Sequence, residues 1–169
     1  MQTTKALARW SQEEFGRAEL GDSRRTARLV TMGTGAAAYP DGRVSHTFRR
    51  AADRQAAYDF LESPSGSHEA IVNAMASAAA RRSRLLSEVI MPVDATSLSL
   101  LDKRDDPQRD KDFGLIGSAR DGIRGVHVVS ALVLAPDGTS QGVGGMGWWS
   151  RGLRPHRRSR AVQELSLIH

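Results

Sequence analysis

The feature that most limits the fold of this chain is a change of periodicity at Glu88. Upstream, apolar residues recur at helical spacing between cap and stop signals; downstream, β-branched runs alternate with turn residues. Helices first and strands second, not interleaved, point to an α+β chain with the helices segregated from an antiparallel meander. Its 169 residues suffice for one medium domain or two small ones with a real core.

The local signals place the elements. "WSQEEFGRAELGD" carries a helix-start signature, with Ser11 as N-cap, Glu14 as its reciprocal partner and Trp10 with Phe15 as the hydrophobic staple. Gly21 stops that helix, and Asp22 caps a second one that ends before Pro40. After the "PDGR" turn, "TFRRAADRQAAYDFLES" reads as a third helix and "SPSGS" as a linker. Ser67 starts a fourth helix running to about Ser87, with Ile71, Met75 and Leu86 directed to the core. Three strands follow: "VIMPVDATSLSLL", "RGVHVVSALVLA" and "SQGVGGMGWW", the last two joined by a "PDG" turn. The first of them reads as a buried strand, and the charged stretch "DKRDDPQRDKDFGLIGSARDGI" behind it as no more than an ordered loop. The domain boundary falls between Glu62 and Ser67, and there is no internal repeat.

Charge and composition narrow the function. A net charge of +5 and a pI near 10.4 suit a polyanionic partner, although a merely soluble basic surface suits them equally. The absence of cysteine excludes disulfides, thiolate zinc sites and thiol nucleophiles, and fits a reducing compartment. No basic-then-apolar leader opens the chain, and its longest apolar run, "VHVVSALVLA", is about half of what a spanning helix needs. The expectation is a soluble cytoplasmic protein with no membrane partner.

Two basic clusters and one acid carry the chemistry. Arg24, Arg25 and Arg28 share one side of a capped helix whose Leu29 and Val30 face the core. Guanidiniums at a helix N-terminal half can grip phosphate; alone, the cluster reads first as a solvated face paired with Glu19 or Asp22. Arg49, Arg50 and Arg54 form a second cluster, and the connecting loop carries Tyr39 and Arg43, which moves the balance towards DNA. Asp94 shares a strand face with Ile90, Pro92, Thr96 and Leu98. A carboxylate there is costly unless paired or bound to a cation, so a role as ligand to hard metal ions is open. Spacing alone favours a local hydrogen bond to Thr96 or Ser97. The five histidines lack metal-ligand spacing, Trp148 and Trp149 read as an aromatic cover for the core, and the glycines of "GLIGSARDGIRG" form no nucleotide-binding pattern.

Taken in order, "AELGDSRRTARLV", "AAYDFLESP", "VDATSLSL", "GVHVVSALVLAPDG" and "GWW" before Arg151 resemble DDE transposases of the Tn-five type, in the insertion-sequence-four group. The resemblance covers most of Trp10 to Arg151. It implies a helical domain over residues 1–64 that binds the double-stranded DNA of transposon ends. It further implies, over 65–164, the first three strands of an incomplete ribonuclease-H-like catalytic domain. By position, Asp94 matches the first catalytic, metal-binding aspartate of that family. Arg25 and Arg28 match end-DNA contacts and Tyr39 falls in the DNA-contacting loop, whereas Gly42 to Gln55 matches poorly.

The family holds two Mg2+ ions with this aspartate, a second aspartate and a glutamate from later elements. This chain alone is therefore expected not to cleave DNA strands, and to leave a hydrophobic edge on its first strand. The family homodimer rests largely on later residues as well. The final "LSLIH", Leu165 to His169, reads as a translation of CTG TCT CTT ATA CAC, the start of a transposon end used as a sequencing adapter; an ordinary tail is the competing reading. Three functions stay open: the N-terminal fragment of a cut-and-paste transposase, a short protein competing for transposon ends, or an inert remnant.

Overall fold

A computed structural model describes residues 2–41, 43–63, 66–99, 113–116 and 123–150. The adapter reading at 165–169 lies outside them, as does most of the charged stretch that follows the first strand.

Helix α1 spans Gln2–Phe15, so Ser11 is not its N-cap. Upstream of Ser11 the segment "QTTKALAR" contains good helix formers and no breaker, and the helix runs through the apparent start signal. Ser11 is instead fully buried, its Oγ donating to the Val30 carbonyl at 2.7 Å, and Glu14 is buried one turn further on at 4% exposure. The rings of Trp10 and Phe15 do meet, edge to face at 5.9 Å. The helix stops at Phe15 and not at Gly21; the latter, with φ of +73°, makes the bend that enters α2.

Helix α2, Ser23–Ala38, starts and stops where expected. Asp22 Oδ1 accepts the Arg24 N–H at 2.8 Å, and Tyr39 ends the helix before Pro40. The expected third helix is two, α3 (Val44–Thr47) and α4 (Ala51–Leu61). The break at Phe48–Arg50 is stabilised by Arg54, whose Nη1 donates to the carbonyls of Phe48 at 3.3 Å and Arg49 at 3.2 Å. Helix α5, His68–Ser83, is capped by Ser67, whose Oγ accepts the Ala70 N–H at 3.1 Å. It ends before the expected Ser87, and its buried face is Ala74, Ala78 and Ala79. Ile71 packs against the core and Met75 is half-buried, whereas Leu86 lies past the end of the helix and is exposed.

Cα compactness groups the chain differently from limits at 64 and 65. One unit comprises Met1–Ile90 with Val133–Gly145, the other Met91–Leu132 with Met146–His169. In the first unit, Ala18, Leu20, Leu29 and Ala74 form a core against which Phe15, Phe60, Ala70 and Ile71 pack. α1 and α2 meet closely at Gly33, where a Cβ would lie 2.5 Å from Ser11 Oγ and 2.7 Å from Phe15 Cε2. Arg82 of α5 donates from Nη2 to Glu14 Oε2 at 2.8 Å and from Nε to the Gln141 carbonyl.

The strands form a four-stranded sheet of order β1-β3-β2, with β4 also paired to β3. These are β1 (Val93–Ser99), β2 (Gly114–Leu115), β3 (Arg124–Leu134) and β4 (Ser140–Trp149). β1 and β3 run antiparallel, with Asp94 opposite Ser130 and Ser97 opposite His127. β2 falls in the stretch expected to be loop; its two residues pair with Gly125 and Arg124. Gly125 has no room for a side chain, since a Cβ would collide with the Leu98 carbonyl. The "PDG" turn forms as expected, with Gly138 at φ of +85° and Asp137 Oδ1 accepting the Thr139 N–H. β1 is not buried: all seven of its residues are exposed, as an edge strand with β3 as its one sheet neighbour among the described residues. Trp148 and Trp149 are likewise 42% and 40% exposed, not a core cover.

Candidate nucleic-acid interface

Helix α2 sets the geometry of the first unit's basic surface. At its start, Arg24 is solvated and ion-paired with Asp22 at 3.4 Å, while Arg25 is half-buried with Nη1 at 3.5 Å from the Leu20 carbonyl. Both alternatives for this cluster thus have a footing: Asp22 does take up Arg24, but Arg25 and Arg28 make no ion pair among the described residues. With Leu20, Ala56, Asp59 and Phe60, the three arginines line a cleft of about 270 Å³ between α2 and α4. The Asp22 carboxyl is held below its ordinary value of 3.8, first by the Arg24 backbone N–H and then by the Arg24 side chain.

At the other end of α2 lies the second cluster. Tyr39 is 45% exposed, and the Arg49 guanidinium sits over its ring at 5.5 Å from the centroid. Arg43 precedes α3 and its N–H donates to Asp41 Oδ1 at 3.1 Å. Arg50 faces Asp53 at 3.8 Å in an exposed pair. Arg54 is committed to the backbone carbonyls of the α3–α4 break, so its guanidinium is shared between structure and surface. From Arg25 to Tyr39 the helix rises about 21 Å, the length of about six base-pair steps along a duplex axis. Two arginine-rich ends so spaced can straddle backbone phosphates of one duplex.

Residues 7–65 match the family model of transposase DNA-binding domains. The match takes in most of α1 and all of α2, α3 and α4, and so contains every arginine of both clusters. It supports a transposase, with DNA as the partner of this segment. Among the described residues no helix is long and apolar enough to cross a membrane.

Asp94 lies on β1, in the second unit. Its strand face carries Thr96 and Leu98, opposite Ser130, Val128 and Val126. The local hydrogen bond favoured by spacing does not form: Ser97 instead faces His127, with Oγ 3.0 Å from Nδ1, and the Asp94 side chain bonds no described residue. Among the described residues no three His, Cys, Asp or Glu side chains gather to hold a metal ion. Asp94 suits a hard cation as a single oxygen ligand, but the described residues alone do not complete a magnesium site.

Two features had no signal in the sequence. His127 stacks on Trp149 at 5.3 Å, with Nε2 shielded from solvent and unbonded among the described residues. His46 lies within the transposase DNA-binding match, its Nδ1 2.6 Å from Asp41 Oδ2. An Asp and a His five apart show no helix or strand period, and only the tight turn before α3 brings them together.

Proposed function

We propose that residues 7–65 bind transposon-end DNA and that the chain is the N-terminal part of a DDE transposase of the Tn-five type. The observation that carries this reading is α2 itself. Within the matched segment it presents Arg24, Arg25 and Arg28 at one end and Tyr39 with Arg43 and Arg49 at the other, at a spacing suited to phosphates. Arg25 and Arg28, free of carboxylate partners among the described residues, grip the backbone, and Tyr39 packs the loop against it. Arg50 and Arg54 add positive potential next to the loop.

The antiparallel meander that follows supports a ribonuclease-H-like beginning, with Asp94 on its first strand as the first of three carboxylates. Asp94 would be one oxygen ligand to the hard cation that the resemblance implies, which would supply Lewis-acid chemistry for strand cleavage and transfer. Within residues 1–169 the resemblance assigns one of those carboxylates, Asp94.

The test is salt-dependent affinity for candidate end duplexes. The slope of log K against log salt has a magnitude of about 0.9 for every phosphate that the protein neutralises. Arg25→Ala and Arg28→Ala should each weaken binding and flatten that slope by about 1. Equal slopes in wild type and both variants would remove these residues from the interface.

A further inference from the structure

His46 occupies the last turn of α3, within the second basic cluster and between Arg43 and Arg49 in the sequence. Asp41 braces it: Oδ2 lies 2.6 Å from His46 Nδ1, while Oδ1 accepts the Arg43 N–H at 3.1 Å. One carboxylate thus fixes both the turn and the imidazole ring. The Arg43 backbone N–H first, and then the His46 side chain, hold the Asp41 carboxyl below its ordinary value of 3.8. Asp41 is therefore anionic throughout the neutral range. With Nδ1 engaged, Nε2 is the remaining polar atom of the ring; no described residue bonds it, and the side chain is 53% exposed. The charged and titratable groups around the turn are Asp41 and Arg43, Tyr39 at the end of α2, and Arg49, Arg50, Asp53 and Arg54 at the start of α4. Of the two acids, Asp53 faces Arg50 at 3.8 Å.

We propose that His46 is a proton-coupled contact to a DNA backbone phosphate, donating Nε2–H to a phosphate oxygen while Asp41 accepts Nδ1–H. The inference rests on the DNA-binding reading and adds to it a residue and a dependence on pH. A neutral imidazole has one N–H; with that hydrogen directed at Asp41, Nε2 offers the phosphate a lone pair, which repels it. A proton taken from solvent turns Nε2 into a charge-assisted donor, and Asp41 stabilises the imidazolium through Nδ1. Contact with the phosphate thereby couples DNA binding to the uptake of one proton. Uptake of one proton strengthens binding by at most about tenfold per pH unit.

The experiment measures the affinity of the full 169-residue chain for a short fluorescein-labelled duplex of arbitrary sequence. Such a duplex suffices because phosphate contacts carry no sequence information. Anisotropy titrations run from pH 8 to pH 6 at constant ionic strength. Wild type should bind more tightly as pH falls, and His46→Gln, which cannot take up the proton, should show a flatter dependence. Asp41→Asn removes the carboxylate that stabilises the imidazolium, so its pH dependence should flatten as well. Binding with the same pH dependence in wild type and His46→Gln overturns the inference and leaves the DNA-binding reading standing. No binding by any of the three proteins overturns both.

Discussion

Replacing Arg82 with methionine isolates the interaction that ties α5 to α1 and to the turn end of the β3–β4 hairpin. Glu14 is 4% exposed, and removing the partner of a buried charge costs about 3–5 kcal/mol. The Arg82 side chain is 31% exposed, so water screens the pair, and the lower end of that range, about 3 kcal/mol, applies. The Gln141 carbonyl also loses its donor, a further cost of about 1 kcal/mol. Methionine keeps the apolar stem, so little packing is lost. The expected loss of about 4 kcal/mol is a large part of an ordinary domain stability of about 5–15 kcal/mol. The five helices of the described residues lie in the first unit, so far-UV circular dichroism in urea reports on that part of the chain. With a urea slope of about 1–3 kcal/mol/M, the midpoint should fall by about 2 M. The double variant Glu14→Leu with Arg82→Met replaces the pair by apolar groups and should recover about half or more of the loss. A midpoint shift below about 0.5 M in Arg82→Met, or simple additivity in the double variant, would refute the reasoning.

Two further outcomes follow from the packing and from Asp94. Gly33→Ala gains about 1 kcal/mol of helix propensity but forces Ser11 Oγ and Phe15 aside, a strain of about 1–3 kcal/mol. The net result should be destabilisation, read as a lower urea midpoint; a raised midpoint would mean that α1 and α2 are not in close contact there. Asp94→Asn should leave stability within about 0.5 kcal/mol, because β1 is exposed. Neither protein should nick supercoiled plasmid in Mg2+, and nicking by wild type that Asp94→Asn abolishes would show that this chain carries a complete site.

What the sequence made legible was chemistry that closes within a few residues. Asp22 and Ser67 cap helices because their side-chain oxygens reach backbone N–H groups two or three positions on. The "PDG" turn forms for the same local reason. Ser11 offers the same chemistry but does not cap, since helix-forming residues upstream have already committed its backbone, and its hydroxyl finds Val30 instead. The interruption at Phe48 contains neither Gly nor Pro; it depends on Arg54 reaching back to two carbonyls, which no propensity encodes. The apolar pattern of β1 identified a strand correctly, but burial depends on what covers a strand, and that information is not local. The basic clusters were visible as charge; the division of labour among them was not. Arg24 is paired, Arg54 is structural, and Arg25 and Arg28 have no carboxylate partner among the described residues.

The first compact unit is drawn from two stretches of chain, Met1–Ile90 and Val133–Gly145. On a ribosome those stretches do not emerge together. Arg82 must wait for Gln141, which lies 59 positions later. At about 5–20 residues per second, that interval is roughly 3–12 s. During it the helices have left the ribosome with this hydrogen bond still unmade, while β1 and Asp94 are already synthesised. The segment matched to transposase DNA-binding domains is therefore translated first, but the unit that contains it is finished only after the aspartate strand exists.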